Sequence, residues 1–158
     1  MLSHSFADFI AYFRRLAEEH KQLQYFAHGP ASRIVAGTRT GFAYPALWLE
    51  TPSLQLNEKD GTDPSGTRQC AFVVLKPGGS TYDQQDAAWA LTEQIALDVV
   101  ARMRRDRKLR LFSFDGNVQL DAISTLTTDN DCGWRVEFET VKSSGLCYVA
   151  AHWNLPAL

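Results

Sequence analysis

The stretch Cys70-Ala71-Phe72-Val73-Val74-Leu75 is apolar at every position, so a strand formed from it has no polar side to turn toward water. Successive residues of a strand point to opposite faces, and both faces of this one therefore need at least partial cover. The run belongs in the middle of a sheet. Its flanks agree, because Asn57 to Gly66 (NEKDGTDPSG) is a row of turn formers and charges suited to an exposed hairpin connection, and Pro77-Gly78-Gly79 ends the strand. A strand is expected over Thr67 to Lys76. Tyr44 to Leu56 is extended in character, with Pro45 and Pro52 marking it as interrupted or as a sheet edge.

Cover for that sheet comes from two amphipathic segments. From Ser5 to about Gln24, Phe6, Phe9, Ile10, Phe13 and Leu16 recur at three and four residues, the spacing that lines one helix face. His20 falls on the same face, where a satisfied, partly buried histidine is the expectation. Ser3 is the expected N-cap and Gly29-Pro30 the stop, while Arg14, Arg15, Glu18, Glu19 and Lys21 form a solvated side. The second helix is expected over Tyr82 to Asp106, with a stripe of Ala88, Leu91, Ile95, Val99 and Arg102 and a near capping box in Ser80-x-x-Asp83. Acidic residues early in it and basic residues late suit the helix macrodipole.

Beyond the second helix, Leu111 to Thr128 reads as a strand with a bulge or turn at Asp115-Gly116-Asn117, and Asp129-Asn130-Asp131 as a reversal. In Gly133 to Thr140 the alternation is clean: Trp134, Val136 and Phe138 fall on one face and Arg135, Glu137 and Glu139 on the other. Leu146 to Trp153 fits either a short fifth strand or an ordered tail. The expected fold is α+β, a mainly antiparallel sheet of four to five strands covered by two helices in the order α-β-β-α-β-β. One domain over residues 1–158 is expected, with 143–158 as an extra strand or tail; nine Phe, five Tyr and four Trp are far too many for a disordered chain.

Composition narrows function mainly by removing classes. A formal net charge of -2 gives no overall attraction to nucleic acid or to an anionic membrane, so any such binding has to be local. Cys70, Cys132 and Cys147 are widely spaced and read as reduced thiols. The first residues do not resemble a secretory signal and no apolar run approaches a membrane span, so the expected location is the cytoplasm or a phage-like particle. The histidines His4, His20, His28 and His152 lack metal-ligand spacing, and no cofactor is implied. Ser65 and Cys132 are the nucleophiles nearest glycines, yet neither sits in a nucleophile elbow and both read as turn residues. Gly78-Gly79-Ser80 before a helix is a possible anion seat without a phosphate-loop pattern, and Asp129-Asn130-Asp131 is too short for a calcium loop.

What remains is surface. The strongest charge feature is the basic run Arg102, Arg104, Arg105, Arg107, Lys108 and Arg110 at the end of the second helix. Its plain reading is a solvated helix terminus; phosphate or an acidic protein surface are the alternatives, and the lack of an aromatic residue in the run weighs against nucleic acid. The hairpin residues Asn57, Glu58, Lys59, Asp60 and Asp63 form a second candidate contact region. Tyr44, Trp48, Tyr148 and Trp153 lie in edge-like or terminal segments, where exposure would mark an interface and burial a core.

The element order, the long charged first hairpin and Gly133-Trp134-Arg135-Val136-Glu137-Phe138 in the last strand together resemble the small tail-completion or tail-terminator proteins of phages and contractile phage-like particles. The resemblance covers about Phe6 to Thr140. It implies a structural protein without catalysis or cofactor, forming an oligomeric ring at a tube end and touching tail tube or sheath-type proteins. Ring closure requires two different patches on each subunit, supplied by sheet edges and by the basic helix end. The rival expectations are a small protein-binding adaptor that uses a sheet edge or exposed aromatics, and an enzyme with a dispersed active site.

Overall fold

The computed structural model describes residues 5–35, 42–57, 65–124, 130–143 and 150–152. Along the chain run α1 (Phe6–Glu19), β1 (Tyr25–His28), α2 (Ala31–Val35), β2 (Ala46–Leu49), β3 (Ser53–Asn57), β4 (Ser65–Pro77), α3 (Tyr82–Lys108), β5 (Val118–Ser124), β6 (Asp131–Ser143) and a short 3-10 turn at Ala150–His152. The fold is mixed α+β.

The apolar run is central, as its composition requires. On one side β4 pairs antiparallel with β6 along its whole length, and β6 in turn pairs with β5. On the other side it meets β2 and β3 in succession, Ala46–Leu49 lying opposite Leu75 to Phe72 and Ser53–Asn57 opposite Gln69 to Ser65. Those two strands are one interrupted strand, broken across Glu50, Thr51 and Pro52, where proline has no N–H to give the ladder. β1 lies outside β2 and parallel to it.

The sheet has two unequal covers. α1 and α3 pack on the face that carries Phe72 and Val74 of β4 and Val136 and Phe138 of β6, around the fully buried Phe13. Burying an aromatic or branched side chain of this kind is worth roughly 1.5–3 kcal/mol each. Among the described residues the opposite face is covered at one end, where Ile34 of α2 and Trp48 pack with Val73 and Leu75. The Trp48 indole N–H donates to the Gly29 carbonyl at 2.9 Å, so its polar atom is satisfied inside the cluster.

Several expectations are corrected by these elements. The order is not α-β-β-α-β-β: the sheet has six strands and the described residues hold three α-helices. The additional pieces, β1 and α2, come from the stretch read as the end of the first helix and its exit. α1 stops at Glu19 because His20 is already extended (φ -81, ψ 123), and the apolar residues Leu23 and Phe26 then serve the core from non-helical backbone. Gly29, at φ 120, and Pro30 therefore turn the chain out of β1 into α2. The cap of α1 is Ser5, whose hydroxyl accepts from the Asp8 N–H; Ser3 lies outside the described residues.

α3 starts at Tyr82 as expected and runs on to Lys108, two residues past Asp106. Its capping box is Thr81 with Gln84, one residue beyond the Ser80 and Asp83 pair. The third expected strand is shorter than Leu111 to Thr128. Phe112 and Phe114 enter the core from irregular chain, and the turn at Asp115-Gly116-Asn117 precedes the strand, with Gly116 at φ 98 and the Asp115 side chain accepting from the Asn117 N–H at 2.7 Å. Asn130, at φ 54, makes the reversal into β6, which extends past both ends of Gly133 to Thr140. Of the tail, Ala150–His152 form the 3-10 turn, and 144–149 and 153–158 lie outside the described residues.

Candidate interaction surfaces

The basic run divides into cations that hold the fold and cations that face water. Arg102 sits between α3 and α1: its Nε reaches Asp106 Oδ1 at 3.1 Å and its Nη2 reaches Glu19 Oε2 at 2.9 Å. Asp106 is completely buried and also accepts from the Tyr12 hydroxyl at 3.1 Å, so this group ties the two helices together. Burial, followed by the neighbouring Asp106 charge, drives the Tyr12 pKa well above the usual phenol range. Arg107 is exposed, but its guanidinium lies 5.6 Å from the ring centre of Phe114. Arg104, Arg105, Lys108 and Arg110 remain exposed. The first three share one helix face through spacings of three and four, and Arg110 follows the helix end at φ 58.

On the far side of the sheet lies a face of opposite sign. The register aligns Arg135, Glu137 and Glu139 of β6 with Gln119 and Asp121 of β5 and with Gln69 of β4. Arg135 clasps Glu50 with two parallel bonds, Nε to Oε1 at 2.7 Å and Nη2 to Oε2 at 2.8 Å, and also contacts Glu137. The hydrogen bond to Glu50, more than any other contact, raises the guanidinium pKa above its ordinary value. Glu139 accepts from the Gln69 amide. Glu50, Asp121 and Glu137 thus gather around one arginine, and with Glu139 further along β6 they leave the face acidic.

The third surface is the edge strand β3, exposed at all five positions and paired, among the described residues, with β4 alone. Leu54 and Leu56 lie opposite Arg68 and Gly66 and are 45% and 49% exposed. Beneath them Arg68 is buried, its guanidinium 5.9 Å from the centre of the Phe9 ring. Of the hairpin candidates, Asn57 ends this strand and is exposed, whereas Glu58, Lys59, Asp60 and Asp63 lie outside the described residues. The opposite edge, β5, differs: the Trp89 indole N–H donates to the Ile123 carbonyl at 2.9 Å and occupies part of that edge.

Among the aromatic candidates, Trp48 is core and Tyr44 is half-buried, its hydroxyl 3.3 Å from Asp131 Oδ2; Tyr148 and Trp153 lie outside the described residues. Cys132 is buried, and burial first, then the Asp131 charge, raises its thiol pKa, which opposes formation of a nucleophilic thiolate. The helix start after Gly78-Gly79 already has partners for its donors, since the N–H groups of Ser80 and Thr81 give to Gln84 Oε1 at 2.9 and 3.3 Å. A depression of about 420 Å³ beside it is lined by Lys76, Pro77, Gly78, Gly79, Gln84 and Leu91, among others. His20 is half-buried as expected, its Nδ1 accepting from the Gln22 N–H and its Nε2 3.6 Å from Asp98. No group of three or more His, Cys, Asp or Glu side chains among the described residues is placed to hold a metal ion, and no helix there is long and apolar enough to cross a membrane.

Sequence reasoning found the basic run and missed the acidic face and the leucine edge. Glu137 and Glu139 were legible as a water-facing row, but their union with Glu50 and Asp121 depends on register between strands distant in sequence. No protein-family model matches the chain, and no curated protein matches it.

Proposed function

We propose that this chain is a structural assembly subunit of the tail-terminator kind, forming an oligomeric ring at the end of a tube and touching tube or sheath-type proteins. The observation that carries this reading is the pair of oppositely charged surfaces on opposite layers of one subunit. The cations Arg104, Arg105 and Lys108 project from α3 on one side of the sheet, and Asp121, Glu137 and Glu139 lie on the other. Two different, complementary patches give a head-to-tail contact, which closes into a ring when the rotation between subunits allows it.

Electron microscopy and light scattering of the purified chain at low and high salt test the reading. Closed rings at low ionic strength are expected, and they should dissociate near 1 M salt, where the Debye length is about 3 Å. The triple variant R104E/R105E/K108E should fail to form them. A particle that stays monomeric under both conditions and with added tube protein overturns the proposal. The open edge of β3 favours one second reading, a small protein-binding adaptor that accepts an extended peptide by strand addition.

A further inference from the structure

We infer that β3 is a docking strand for the β3 of a second copy of this chain, the two running antiparallel about a two-fold axis at Gln55. This goes beyond the head-to-tail contact and does not rest on it, since a two-fold contact is complete at two copies and uses one patch on both.

Among the described residues the outer edge of β3 is open, for a structural reason. β1 fills the lane beside β2, but the chain leaves that lane at Gly29, whose N–H still donates to the Leu49 carbonyl at 3.0 Å before Pro30 turns it into α2. Alongside β3 no described residue continues the lane. An exposed edge with apolar side chains invites pairing, and proteins usually guard against it with charge, proline or a covering group. β5 has such guards in the Trp89 indole and the charged Asp121. β3 has none among the described residues, and Ser53-Leu54-Gln55-Leu56-Asn57 itself contains neither a charge nor a proline.

The identity of the occupant follows from the sequence of the strand. Its polarity reads polar, apolar, polar, apolar, polar, the same in both directions from Gln55. Antiparallel pairing about that residue sets Leu54 against the partner's Leu56, Leu56 against the partner's Leu54, and Gln55 against its own equivalent. Ser53 then faces the partner's Asn57. The four leucines meet on the helix-bearing side of the joined sheets, above Phe9 and Arg68, and the polar residues meet on the other side. A shift of one residue would set each leucine opposite a polar residue and move the partner's leucines to the other face of the sheet, so the register is specified.

Cysteine cross-linking combined with light scattering tests this pairing. Directly opposed residues of an antiparallel pair have Cβ atoms about 4.5–5.5 Å apart, so Gln55→Cys should form an intermolecular disulfide under mild oxidation. Ser53→Cys should not, because its own equivalent lies four residues away along the strand, about 14 Å at ~3.4 Å per residue. The dimer should persist near 1 M salt, where the charged ring contact is lost. Leu54→Lys with Leu56→Lys should abolish it while leaving the circular dichroism spectrum unchanged, because both side chains are already exposed. A chain that is monomeric at high concentration and high salt overturns the inference. So does a dimer indifferent to the two lysines, or cross-linking of Ser53→Cys as efficient as that of Gln55→Cys.

Discussion

Arg135 on β6 reaches across β4 to hold Glu50, at the break between β2 and β3, with both arms of its guanidinium at 2.7 and 2.8 Å. The strand between them carries Ala71 opposite Glu137, and a methyl group is short enough to let the two long side chains meet above it. The pair pins the broken strand at Glu50, whose N–H makes a last bond to the Ala71 carbonyl at 3.0 Å, two residues before Pro52. Both partners are half-buried, so solvent discounts the charge attraction but leaves the paired hydrogen bonds.

Glu50→Gln should therefore destabilise the fold by about 1 kcal/mol in urea unfolding. Arg135→Lys should behave similarly, because a point charge does not reproduce the two-armed geometry. A double variant no worse than either single variant would show that the two residues act as one unit. Strictly additive losses would refute the coupling.

Asp106 gives a larger expected effect. It is fully buried and bridges Tyr12 of α1 to Arg102 of α3. Asp106→Ala should cost about 3 kcal/mol, since it leaves Arg102 without its main partner and the Tyr12 hydroxyl without an acceptor. Tyr12→Phe should cost about 1 kcal/mol, and the ring should keep its stacking on Phe112 at 4.0 Å. Calorimetric unfolding of both variants checks the order; equal losses would contradict it.

The parts of the fold legible in the sequence are those with a strong local period. The central apolar strand, the alternation of Trp134, Arg135, Val136, Glu137 and Phe138, and the long stripe of α3 each declare themselves within one element. β1 and α2 were not legible, because Leu23 and Phe26 continue the helical spacing of α1 although the backbone has already become extended at His20. The parallel pairing of Tyr25–His28 with Ala46–Leu49 leaves no local mark in either segment. The same reason hid two of the three surfaces. Arg104, Arg105 and Lys108 are neighbours in sequence, whereas Glu50, Asp121 and Glu137 become neighbours only through strand register. The stripe placed Arg102 on the inner side of the second helix, but neither its partner Glu19 nor the contact of the exposed Arg107 with Phe114 was legible, since those partners lie on other segments.

Cys70 makes stability depend on alkaline pH. Its thiol is buried in β4, and burial pushes its pKa from 9.0 up to about 12. Between those values the unfolded chain has released a proton that the folded chain still holds. The folded state then binds more protons, and stability falls as pH rises. The contribution is fully present below about pH 9 and is lost progressively toward pH 12, at no more than about 1.4 kcal/mol per pH unit. The raised Tyr12 pKa acts in the same direction from about pH 10 upward. Urea unfolding at about pH 8 and about pH 10.5 should show a smaller loss for Cys70→Ala than for the natural chain; identical losses would rule out the thiol as a source.

Gly133 should be the least replaceable residue of β6. It lies opposite Leu75 on one side and Ile123 on the other, and a Cβ there would run into the Val74 carbonyl oxygen. That oxygen belongs to the backbone of the central strand, so relief requires moving β4 or β6 rather than turning a side chain. Gly133→Ala, ordinarily a mild change in a strand, should cost about 2–3 kcal/mol here through overpacking. The loss should appear as a lower urea midpoint with an unchanged slope, since the surface exposed on unfolding stays the same. An alanine variant as stable as the natural chain would mean that the two strands do not approach as closely at this position.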